Sequence, residues 1–156
     1  MVLQNSPNSH NAFVQFVSAS LTTLQSVTTL MPADDTIPQN TEGDEVLTVT
    51  ITPKFSTSNL MIKFSGMLVK NTSGSVQVAL FQDTTADALS AKSFLQSDNQ
   101  NCYGDFQHIM TSGTTSSTTF KIRVGPAANT IAINGQGVSQ LLGGVANTIL
   151  TVMEYL

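Results

Sequence analysis

Five of the ten carboxylates of this chain fall in one short stretch: Asp34, Asp35, Glu42, Asp44 and Glu45. Hard oxygen donors of this kind could hold calcium. Their spacing does not follow a calcium-binding loop, so solvated loop charge is the expected role. Asp83, Asp87, Asp98 and Asp105 could supply the facing carboxylates of a glycosidase, which sit roughly 5–9.5 Å apart. Nothing selects two of them, and the chain has no tryptophan to stack on a sugar. His10 and His108 are too few for zinc, which takes three or four ligands; His108 reads as an ordinary strand residue. Cys102 is the sole cysteine, so there is no internal disulfide and no cysteine metal site. No G-x-S-x-G elbow is present. Gly135–Gln136–Gly137 and Gly143–Gly144 lack the strand–glycine–helix setting of a phosphate loop and read as turns. Asn71–Thr72–Ser73 is a glycosylation acceptor in form only. The expectation is a non-enzyme with no catalytic residue, no cofactor and no metal.

The elements that would carry these residues follow from composition and periodicity. The chain has 156 residues, 40% of them hydrophobic and only 10% charged. That is one domain's length, with too little charge and too much apolar content for disorder. The six basic residues, Lys54, Lys63, Lys70, Lys92, Lys121 and Arg123, are scattered, and the net charge is −4. A phosphate backbone needs concentrated basic charge, so neither nucleic acid nor an anionic membrane is expected as a partner. No apolar run is long enough to span a bilayer, and no basic residue precedes Lys54 as a secretory signal would require. A protein soluble where it is made is expected.

From Val46 to Thr52 the residues alternate, with Leu47, Val49 and Ile51 on one face and Thr48 and Thr50 on the other, as a strand requires. Further strands are predicted over 60–69, 76–81, 106–110, 118–124, 130–133 and 147–155. Between them lie polar turns at 71–74, 96–104 and 112–117, and Asn134–Gly135 has hairpin form. Residues 85–92 read as a short helix or a loop. Residues 12–31 are ambiguous: Phe13, Phe16, Val17, Leu21 and Leu24 fall near helical spacing, but the Ser, Thr and Val content favours extended chain. This pattern predicts an all-β fold, a jelly-roll-like antiparallel β-sandwich over 32–156, with an extended N-terminal arm over 1–31.

Four stretches in order, DDTIPQNTEGDEVLTVTITPKFSTSNL, VALFQDTTADALSA, MTSGTTSSTTFKIRVGP and GGVANTILTVMEYL, resemble a domain of tailed-bacteriophage virion proteins. The resemblance spans about residues 34–155. It implies a β-sandwich head, trimeric, on the virion surface after assembly in the host cytoplasm, and it implies no catalytic residues. The preferred role is a homotrimeric capsid decoration (cement) protein held by the major capsid protein. The alternatives are a tail-fibre or spike tip that meets tail proteins and a host receptor, and, further off, a carbohydrate-binding or depolymerising module. The attachment residues are expected in the arm, at Phe13, Phe16, Val17, Leu21 and Leu24. Deleting residues 12–31 is expected to leave a folded trimer that no longer binds the particle.

Overall fold

The alternation of apolar and polar residues becomes strand pairing throughout the computed structural model, which describes residues 12–98 and 100–156. The strands are β1 (Phe13–Leu21), β2 (Gln25–Val27), β3 (Asp44–Ile51), β4 (Asn59–Lys70), β5 (Gly74–Gln82), β6 (Ser90–Gln96), β7 (Asn101–Thr111) and β8 (Thr118–Pro126). The short β9 (Ile131–Ile133), β10 (Gly135–Gln136) and β11 (Ser139–Gln140), then a 3₁₀ turn at Leu142–Gly144, lead into β12 (Thr148–Tyr155).

Two main antiparallel sheets result, ordered β1–β12–β4–β7 and β3–β8–β5–β6, beside the small β10–β11 pair. Along the far end of β4, β9 replaces β12 as neighbour, and β2 pairs β9 there. The hairpin-like pairs nest: β1 with β12, β3 with β8, β4 with β7, β5 with β6. Successive pairs fall in alternate sheets, as in a long hairpin folded over on itself. That is the jelly-roll order, and the fold is an all-β antiparallel sandwich.

The core lies between the sheets. Leu47, Val49 and Ile51 of β3 meet Leu60, Ile62, Phe64 and Leu68 of β4, with Val76, Val78 and Leu80, Phe120, Ile122 and Val124, and Leu150 and Val152. Burying each such side chain contributes about 1.5–3 kcal/mol. Val46 departs from simple alternation: a bulge between Glu45 and Leu47 buries it beside Leu47, because a bulge sets two residues against one.

Four expectations are corrected. Residues 85–92 form no helix: Ala88 N–H donates to Pro38 O at 3.0 Å, Leu89 N–H donates to Leu80 O at 2.8 Å, and β6 begins at Ser90. The loop expected over 96–104 is shorter: β6 runs to Gln96 and β7 already starts at Asn101. Its inward position at Gly104 has no side chain, because a Cβ there would lie 3.0 Å from Leu68, and so the apolar alternation is silent. Asn134–Gly135 is not the hairpin tip; β10 and β11 pair around Gly137 and Val138, with Gly137 at φ +60°. Finally, the N-terminal arm does not stand apart from the domain over residues 13–31. β1 and β2 are sheet strands, and Val27 and Met31 are fully buried. Removing 12–31 would strip an edge strand and part of the core, so the truncated chain is not expected to fold as a domain. Residues 1–11, including His10, lie outside the described residues.

Candidate functional site

Most of the carboxylates singled out in the sequence are engaged separately rather than gathered. Asp34 accepts hydrogen bonds from the Thr36 hydroxyl at 2.6 Å and the Thr36 amide at 2.9 Å, and these hold its pKa below the ordinary value. Glu42 accepts from Gln39 N–H at 3.0 Å, and Glu45 lies 3.6 Å from Lys121. Asp44 accepts from the Thr28 amide at 3.0 Å and from the amide and hydroxyl of Thr29. Burial pushes Asp44 up, but the Thr29 hydroxyl, the two amides and Arg123 leave it below the usual range. Asp83 accepts from the Thr119 amide and the Thr118 hydroxyl, Asp87 from Gln39, and Asp98 from the Ser73 amide. Among the described residues, no three His, Cys, Asp or Glu side chains converge to hold a metal ion. Cys102 is a half-buried free thiol on β7, and His108 sits on the inward side of β7 opposite Ile62.

Sequence reasoning passed over the best-held carboxylate. Glu154 near the end of β12 is fully buried. It accepts from Lys54 N–H at 2.9 Å, Phe55 N–H at 3.1 Å, the Ser58 hydroxyl at 2.7 Å and the Gln15 amide at 2.6 Å. Burial raises its pKa, yet these donors together hold it below the ordinary value. It ties β1, β12 and the 54–58 turn together, with no open side for a ligand. Its one trace in the sequence is an acid at an inward strand position.

The five expected attachment residues do not share one surface. Val17 and Leu21 pack inward on the core. Leu24 lies beyond β1, its side chain against Gly135, where a Cβ would come within 2.4 Å. Phe13 and Phe16 face out, 59% and 60% exposed, with ring centroids 6.2 Å apart. Three residues apart on a regular strand they would face opposite ways. A register shift between Phe13 and Gln15 puts both on the outer face, the effect a bulge has.

They open an apolar row across the whole sheet. Phe16 pairs Met153, Met153 pairs Met61, and Met61 pairs Ile109, which is 50% exposed. Phe13 pairs Tyr155 beside it, and Phe13, Met61, Met153 and Tyr155 line a shallow depression of about 280 Å³. The next rows are Ser18–Thr151–Lys63–Gln107 and Ser20–Ile149–Ser65–Asp105. Lys63 and Asp105 are the only charges on this face, and neither has an ion-pair or hydrogen-bond partner among the described residues. The face has no convergent polar groups to orient a small ligand. It can pack against another surface.

No protein-family model matches the chain, and no curated protein matches it in sequence. Among solved structures it is similar to the C-terminal domain of EclA, a sugar-binding protein, at 14% identity and a TM-score of 0.44, over 86% of this chain and 87% of that one. It is also similar to dimeric latent PorU from Porphyromonas gingivalis at 8% identity and a TM-score of 0.41, over 95% of this chain and 14% of PorU. Likeness at this level says nothing of what the chain binds.

Proposed function

We propose that the protein is a non-enzymatic structural component of a tailed-bacteriophage particle, a self-associating capsid decoration protein whose further partner is the major capsid protein. The four ordered stretches that resemble virion proteins support the particle. The apolar row Phe16–Met153–Met61–Ile109 is the observation that carries the assembly role. Exposed apolar patches of this kind mark association surfaces. Of the carboxylates weighed for chemistry, Asp83 and Asp44 hold backbone amides inside the fold, as the buried Glu154 does. The attachment role expected of the N-terminal region narrows to Phe13 and Phe16, since Val17 and Leu21 serve the core.

Antibody labelling of intact particles tests this reading. Label spread over the shell is the expected result. Label confined to the tail would replace it with the fibre-tip role, and particles without label would overturn it.

A further inference from the structure

We propose that the outer face of the β1–β12–β4–β7 sheet is covered by the same face of a second copy of this chain, related by a twofold axis. The inference deepens the assembly part of the reading above and does not depend on the particle.

The face is self-complementary in size and charge. Met153 and Met61 are direct neighbours at the middle of the sheet, on β12 and β4. A twofold axis running between them, parallel to the strands, keeps each row on the same row of the second copy. Met153 then meets Met61 of the second copy, and Phe16 meets Ile109, so the apolar row is covered along its full length. In the next two rows Lys63 meets Thr151 and Asp105 meets Ser20. Each charge thus faces a hydroxyl and none directly faces a like charge, the costly case at an interface.

The outward charges of the face sum to zero in a chain of net charge −4. A strongly acidic or basic partner has nothing here to pair with. Four strands at about 4.8 Å spacing and eight residues at about 3.4 Å rise make a face of roughly 19 by 27 Å. Two such faces can stack about 10 Å apart, as sheets do inside a sandwich. The contact is isologous, each residue meeting its reciprocal.

The test is sedimentation of the full chain and of face variants. The unsubstituted chain should sediment at twice the monomer mass. Phe16→Glu should weaken association at least tenfold, while Leu95→Glu, at a residue 85% exposed on the other sheet, should leave it unchanged. Far-ultraviolet circular dichroism of both variants separates lost association from lost fold, and a misfolded Phe16→Glu is replaced by Ile109→Glu. A monomer at high micromolar concentration overturns the proposal. So does a trimer, or an oligomer indifferent to these substitutions. A face protected at every concentration until residues 1–11 are deleted also overturns it, in favour of the chain's own N-terminal segment. Each of these failures leaves the labelling of particles to be judged separately.

Discussion

The two outer faces of the sandwich are built alike and finished differently. On the β3–β8–β5–β6 sheet, the outward positions carry Thr48, Thr50, Thr119, Lys121 and Arg123, and each has a partner. Thr50 and Thr119 share a hydrogen bond of 2.9 Å, and Arg123 donates to Glu42 O at 2.7 Å and Gly43 O at 2.6 Å. The loop after β2 then covers part of that face, where Met31 packs on Ala79 and Phe81. Gly43 at φ +62° makes the close passage possible, since a Cβ there would lie 2.6 Å from Val124 O. On the β1–β12–β4–β7 sheet the 141–146 segment covers only the far end of β4, where Met67 and Val69 pack against Ala146 and Leu141; within the described residues nothing covers the apolar row Phe16–Met153–Met61–Ile109. A jelly roll needs only its inner faces to fold. What it does with each outer face is free to differ, and the uncovered apolar one is where function is to be sought.

The largest effects should be blind to this difference. Phe64 on one sheet and Phe120 on the other are both fully buried. Phe64→Ala and Phe120→Ala should each cost about 3–5 kcal/mol in chemical denaturation. A much smaller cost for one would mean that its sheet is not part of a shared core.

Glu154 comes next. Glu154→Gln should lose about 1.5–3 kcal/mol at neutral pH, the range for hydrogen bonds to a charged group. Because its pKa is lowered in the folded state, the stabilisation is present above the unfolded glutamate value of about 4.3. It is lost as pH falls through the lower folded value. The stability gap between the parent and Glu154→Gln should therefore narrow in acid, and a pH-independent gap would show that the carboxylate's charge contributes nothing.

The smallest effects on stability separate the faces. Glu45→Ala removes a half-exposed pair to Lys121 and should cost no more than about 1 kcal/mol, without changing association. Phe16→Ser should be about as mild in thermal unfolding at low concentration, yet strongly reduce association. If both variants affected stability and association alike, the contrast between the faces would fail.

Much of the fold was legible because the inward positions of β3, β4, β5, β8 and β12 alternate cleanly, as in Leu60, Ile62 and Phe64. Legibility failed where the alternation is interrupted for a structural reason. Gly104 leaves an inward position empty, so half of β7 looked like loop. The bulge at Phe13–Gln15 breaks the period of two, so β1 resembled a helix and its outward pair could not be told from its inward one. The outer row was hidden for another reason. Met61, Ile109 and Met153 look like stray apolar residues in three distant segments, and only strand register aligns them with Phe16. Glu154 was invisible because its donors come from a turn about a hundred residues earlier.

The most direct test of the outer face as the working surface is oxidative footprinting of the full chain across a range of concentrations. Met61 and Met153 face outward, whereas Met31 and Met67 are buried within the chain and serve as internal references. The account predicts that Met61 and Met153 become protected together as concentration rises, while Leu95 on the opposite face stays equally reactive. Oxidation of Met61 and Met153 that stays the same from low to high concentration would contradict it.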